Sequence, residues 1–105
     1  MVYTVYTTEN FEREMKKLSG ENNERIRKLF LQIKDNPYVG DQLRYKFLRE
    51  KRLNEKRIYY LVYDELLAVL IVAISGKKEQ KETIDHIVQY LEQYKEYLKE
   101  RIMED

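Results

Sequence analysis

Nine side chains between positions 46 and 78 could act on a phosphate: Lys46, Arg49, Lys51, Arg52, Lys56, Arg57, Tyr59, Lys77 and Lys78. Guanidinium and ammonium groups hold a phosphodiester and stabilise charge as it develops on the phosphorus oxygens. Crowded cations also push a lysine towards neutrality, which is what proton transfer requires. A plainer reading is a solvated edge strand whose lysines prevent edge-to-edge pairing with other chains. Composition alone does not separate the two. The clustering is nevertheless local. From Arg44 to Arg57 there are seven basic residues against Glu50 and Glu55, while the whole chain carries a net charge of only +1. A basic patch on a near-neutral protein can hold phosphates without coating the molecule in unspecific attraction.

Other chemistries lack their residues. There is no cysteine, which excludes disulfides, thiolate catalysis and cysteine-based zinc sites. The one histidine, His86, falls in a predicted helix without a second histidine or an acidic cluster at ligand spacing, so no metal is expected. Three glycines cannot form a phosphate-cradling loop, and Ser19 and Ser75 fall in turn positions rather than in a catalytic triad. No cofactor is implied.

The cations need a frame. A chain of 105 residues, 43% hydrophobic and 37% charged, supports one domain over residues 1–105 with a charged surface. Its first residues carry no basic-then-apolar leader, and its longest apolar run, 66–74, is far too short to span a bilayer. The expectation is a soluble cytoplasmic protein. Residues 2–7 read as a first strand. Thr8 reads as the N-cap of a helix carrying Phe11, Met15 and Leu18, stopped at Ser19-Gly20. Asn22 or Asn23 would cap a second helix with Ile26, Leu29, Phe30 and Ile33 on one face, closed by Pro37.

A loop over residues 38–42 leads to a strand over 43–52. Leu53-Asn54-Glu55-Lys56 reads as a hairpin turn with asparagine in a left-handed conformation. Residues 57–63 alternate: Ile58, Tyr60 and Val62 on one side, Arg57, Tyr59, Leu61 and Tyr63 on the other. Asp64-Glu65 turns the chain into residues 66–74, apolar on both faces and therefore a central strand covered from both sides. From Lys78 a single amphipathic helix of about 25 residues is expected, its end able to project beyond the sheet. The fold class is α+β.

The segment Leu48-Arg49-Glu50-Lys51-Arg52-Leu53-Asn54-Glu55-Lys56-Arg57-Ile58-Tyr59-Tyr60 resembles a pattern of the RelE/ParE superfamily of toxins from toxin–antitoxin modules: Leu-x-x-x-Arg, a tight turn, then x-Arg-Val-x-Tyr entering a strand. Gly76-Lys77-Lys78-Glu79-Gln80-Lys81, followed by Ile84 and later by Tyr94-Lys95, is similar to a segment of its addiction-module killer, or HigB-like, subgroup. The order of strand, helical hairpin and three-stranded antiparallel meander resembles the same superfamily along nearly the whole chain. The resemblance implies a small RelE-like toxin neutralised by a cognate antitoxin. It further implies entry into the ribosome and metal-free cleavage of messenger RNA, the ribose 2′-hydroxyl attacking the adjacent phosphate to leave a cyclic phosphate. By position, Arg52 and Arg57 would clamp that phosphate and Lys77 or Lys78 would stabilise the transition state. Lys51, with Lys46 as second choice, would transfer the proton. Arg44, Lys46, Arg49, Lys56 and Tyr59 would supply the surrounding RNA contacts. Where many relatives carry a tyrosine after the last strand, this chain has Glu79-Gln80-Lys81. The alternative is a non-enzymatic interaction protein of the same fold: an antitoxin-binding, gyrase-poisoning or inactive relative.

Overall fold

The computed structural model describes residues 2–18 and 20–104. Five strands form one mixed sheet: β1 (Thr4–Thr7), β2 (Asp41–Gln42), β3 (Leu48–Leu53), β4 (Lys56–Tyr63) and β5 (Ala68–Gly76), in the order β1-β5-β4-β3-β2. β3, β4 and β5 are the antiparallel meander, and β1 lies parallel to β5. Helices α1 (Glu9–Lys16) and α2 (Gly20–Asp35) cover one face, while α3 (Gln80–Gln89) and α4 (Leu91–Glu104) cover the other. This is an α+β fold.

Alternation along β4 builds both cores. Ile58, Tyr60 and Val62 pack with Val69 and Ile71 of β5 against Phe11, Ile26, Leu29 and Ile33 of the helical hairpin. Tyr59, Leu61 and Tyr63 pack with Leu70 and Val72 against Ile87 and Leu98. The strand at the centre of the sheet is thus β4; β5, though covered on both faces, stands one place from the edge. A register shift opposite Tyr59 and Tyr60 leaves Val72 without a cross-strand partner, a bulge that no spacing in the sequence announces.

Local signals set most of the ends. The Thr8 hydroxyl accepts the Phe11 N–H at 3.1 Å and caps α1 as expected. α2 already begins at Gly20, so Asn22 and Asn23 lie in its first turn rather than capping it, and Ser19 falls outside the described residues. Pro37 stops α2 and opens a short 3-10 turn. Asn54 takes a φ of 57° in the two-residue β3–β4 turn. The expected strand over 43–52 starts only at Leu48. The chain folds back on itself at 43–47, where the Tyr45 and Phe47 rings stack at 5.0 Å and the Leu48 N–H bonds to the Tyr45 carbonyl. β2 instead comes from the expected loop, and Gly40 lets that loop touch β3: a Cβ there would lie 2.7 Å from the Glu50 carbonyl oxygen.

The single long C-terminal helix is in fact two. At Tyr90 the backbone leaves helical geometry (φ −111°, ψ 25°), with its N–H shared between the His86 and Ile87 carbonyls. The bend lays α4 back on the sheet, where Leu98 is fully buried, instead of letting it project. Among the described residues no helix is long and apolar enough to cross a membrane.

Two stability outcomes follow from this packing. Ile71→Ala should cost about 2–4 kcal/mol in urea unfolding, since the side chain is wholly buried between β4 and the helical hairpin. Leu67, part-exposed and left-handed at φ 48°, ψ 45°, is a strained position for a branched side chain, so Leu67→Gly should raise stability by up to about 1 kcal/mol.

Candidate nucleic-acid interface

The tight β3–β4 turn and the β5–α3 junction stand side by side, because Lys56 is registered opposite Gly76 and Arg57 opposite Ser75. Between them lies an open cleft of about 530 Å³ lined by Arg52, Asn54, Glu55, Lys56, Arg57, Gly76, Lys77, Lys78 and Glu79. Five cations face it and two carboxylates temper it, so its field favours an anion. Arg52 and Arg57 are direct cross-strand partners on the α3/α4 face. Lys77 and Lys78, exposed on the 3-10 turn before α3, close the other wall.

Arg57 forms the buried part of this wall. It is only 8% exposed, and its Nη1 lies 3.5 Å from Oε1 of Glu50, itself 6% exposed. The Gln80 side-chain amide, at the first residue of α3, donates to that same oxygen at 2.8 Å. The Arg57 Nε is buried without a hydrogen-bond partner. The sequence pattern gives neither Glu50 nor Gln80 a role in the site, although alternation along β3 puts Glu50 on the same face as Arg52. The missing signal was the partner on α3, thirty residues away.

The pleat separates the other expected site residues from the cleft. Lys51 is registered opposite Ile58 and so belongs to the helical-hairpin face, opposite to Arg52 and Arg57; it is not positioned to move a proton in this cleft. Tyr59 cannot contact a bound strand. Its side chain is 0% exposed and its hydroxyl bonds to Ser75 Oγ at 2.9 Å; burial pushes its pKa up, so it stays neutral. Arg49 is a loop clamp: its guanidinium donates to the carbonyls of Tyr38, Gly40 and Lys46 and stacks over the Tyr38 ring. Lys46 lies over the same ring, at the far end of β4. Arg44 pairs with Asp85 of α3. Of the ten expected residues, then, Arg52, Lys56, Arg57, Lys77 and Lys78 come together, whereas Arg44, Lys46, Arg49, Lys51 and Tyr59 do not. Among the described residues no group of three or more potential ligands could hold a metal ion. The His86 ring packs tilted against that of Tyr90, with centroids 4.6 Å apart, away from the cleft.

At the far end of the sheet Asp64 accepts hydrogen bonds from the hydroxyls of Tyr3 (2.6 Å) and Tyr38 (2.7 Å), tying β1, the Pro37 turn and β4 together. These bonds, Tyr3 first, hold the Asp64 carboxyl below its ordinary range. Tyr38 is pushed up to about 12, by burial first and then by its bond to Asp64.

The architecture has solved counterparts. A free arginine-to-alanine double mutant of the E. coli toxin RelE superposes with a TM-score of 0.72 at 22% identity, over 85% of this chain and 97% of that one. RelBE2, a toxin–antitoxin complex from Mycobacterium tuberculosis, gives 0.65 at 23% identity, covering 73% of this chain and all of its counterpart. A RelE–RelB complex from the archaeon Pyrococcus horikoshii gives 0.63 at 18%, over 73% and 97% of the two chains. No protein-family model and no curated protein matches the sequence. The chain has the RelE-like fold.

Because the folded pKa of Asp64 is depressed, its contribution to stability is present above the unfolded carboxyl value, about 3.9, and is lost as pH falls through the folded one. Urea midpoints of the wild type and Asp64→Asn, measured from pH 7 down to pH 2, should therefore converge in acid.

Proposed function

We propose that this protein is the toxin of a type II toxin–antitoxin module, and that it arrests translation by cutting messenger RNA on the ribosome. One observation carries the reading: a cleft lined by five basic side chains, at the strand turn and helix start, on a RelE-like sheet. Arg52 and Arg57 clamp the scissile phosphodiester from β3 and β4. Lys77 and Lys78 stabilise the extra negative charge as the O2′–P bond forms and the P–O5′ bond breaks. The proton lost by the 2′-hydroxyl passes to water in the open cleft and the leaving 5′-oxygen takes one up from it, giving a cyclic phosphate and a 5′-hydroxyl. The partner that silences it is a cognate antitoxin; solved RelE-like toxins from E. coli, M. tuberculosis and P. horikoshii are found with their RelB antitoxins.

A second reading has its own support. The lysine expected to transfer the proton does not reach the cleft, since Lys51 lies on the other face. The segment after β5 carries Gln80, engaged with Glu50, where many members of the family that the chain resembles carry a tyrosine. A toxin of this shape could grip its target, whether RNA, ribosome or gyrase, without cutting.

Arg57→Ala would leave Glu50 buried and uncompensated, so the informative variant combines the exposed residues Arg52→Ala and Lys77→Ala. Induced expression of the wild type should stop growth of a bacterial host, with new 5′ ends inside translated messages by primer extension. The double variant should fold normally, restore growth and reduce cleavage by about 100-fold or more. Growth arrest without new 5′ ends would select the non-cutting reading; unhindered growth of the wild type would remove both.

A further inference from the structure

Behind the lining of the cationic cleft, buried against Arg57, stands a carboxylate that a simple phosphate clamp would not need. We infer that Glu50, held by Gln80, is a positioning residue that fixes the Arg57 guanidinium and restrains its grip on a phosphodiester, an inference that rests on the site proposed above. Three observations carry it. Arg57 and Glu50 are both more than nine-tenths buried, so each charge is offset chiefly by the other, and losing the carboxylate should cost some stability while leaving Arg57 at the edge of the cleft. Their contact is long: 3.5 Å against about 2.7–2.9 Å for a tight charged hydrogen bond, and the Arg57 Nε has no partner. The guanidinium is therefore neutralised only loosely, and the part of it that lines the cleft, rather than its buried Nε, is what meets an oxyanion there. Finally, the shorter of the two bonds to Glu50 Oε1 comes from Gln80, the residue that starts α3.

That last bond links two walls. Gln80 follows directly on the turn carrying Lys77 and Lys78, so tethering it to β3 fixes where both lysines stand relative to Arg57. Glu50 thereby serves two ends at once. Its charge offsets one unit of the cleft's positive field, so that the cleft holds a phosphate chain less tightly than its cations alone would. Its oxygen sets the distance between the strand arginines and the turn lysines, the geometry that matters when charge shifts between the phosphorus oxygens. Removing the charge while keeping the shape should separate these effects: binding strengthens and turnover falls. A carboxylate with only a packing role would not give this split; its loss would weaken binding and turnover together.

The test is Glu50→Gln, which preserves an oxygen acceptor for Gln80, alongside Gln80→Leu, which removes the donor without altering charge. A fluorescein-labelled ten-nucleotide single-stranded RNA is titrated with each purified protein over a series of salt concentrations, with circular dichroism melting as a check on folding. Message cleavage is read in parallel by primer extension. For Glu50→Gln the expected result is several-fold tighter RNA binding at low salt, a log-affinity-versus-log-salt slope steeper by about 0.7, and cleavage reduced by about 10- to 100-fold. For Gln80→Leu the slope should be unchanged and cleavage reduced. Weaker binding by Glu50→Gln in step with a lowered melting temperature, or binding and cleavage both unchanged, would overturn the inference. If Glu50→Gln fails to fold, unchanged cleavage by a folded Gln80→Leu would do the same. A wild type that binds the RNA with the expected salt response but cuts nothing refutes cleavage alone, and the binding arm still decides the role of Glu50. A wild type with no salt-dependent affinity for RNA would overturn both.

Discussion

Strand β4 is buried on both faces from Arg57 to Tyr63, and every other element is placed by what that burial demands. A strand with no face left for water must find two covers. The helical hairpin satisfies Ile58, Tyr60 and Val62, and the α3–α4 pair satisfies Tyr59, Leu61 and Tyr63. Its lateral hydrogen bonds require neighbours on both edges, which β3 and β5 supply. Hydrophobic burial of this extent fixes register strongly, because slipping one residue would turn each apolar side chain to the wrong core. The cationic cleft inherits that precision: Arg57 is the first buried residue of the same strand, and its neighbours across the sheet follow from the same register.

Bringing like charges together on such a floor opposes folding. Arg52 and Arg57 face each other directly across two strands, a pairing that is destabilising in isolation. Glu50 lies in the sheet beside them and reduces the repulsion, while Arg52, Lys56, Lys77 and Lys78 remain in water, where repulsion is screened. The sheet is therefore divided in its chemistry. One end concentrates cations around a single buried carboxylate. The other end joins Asp64 to two tyrosines and uses Arg49 to staple loop carbonyls, with no comparable surplus of charge.

Much of this was legible in the chain because it is written in short-range patterns. Alternation over 57–63 gave the faces of β4, Thr8 gave the start of α1, Pro37 gave the end of α2, and Asn54 gave the turn. What escaped depends on contacts distant in sequence or on departures from ideal geometry. The break at Tyr90 falls inside an uninterrupted helical pattern, without proline or glycine, and arises because α4 must bend to bury Leu98. The turn over 43–47 reads as strand from its residue types, yet ring stacking between Tyr45 and Phe47 draws it back. In the candidate site, basic residues adjacent in sequence looked like one surface. The period-two pleat distributes Arg49 and Lys51 to one face and Arg52 to the other, so that only a part of the cluster reaches the cleft. Glu50 and Gln80 were hidden for the converse reason: thirty residues apart in the chain, they meet only once α3 has docked.

The bulge at Val72 acts as a phase correction within β5. Below it, Val69 and Ile71 belong to the hairpin core; above it, after one additional residue, Ile74 returns to that same core although three positions separate it from Ile71. In an unbroken pleat Ile74 would stand opposite Arg57, and a greasy side chain would occupy the ground of the cationic cleft. The extra residue brings Ser75 there instead, with a hydroxyl to meet Tyr59. One unpaired amino acid thus lets a single ribbon be oily along most of its length and polar where it ends.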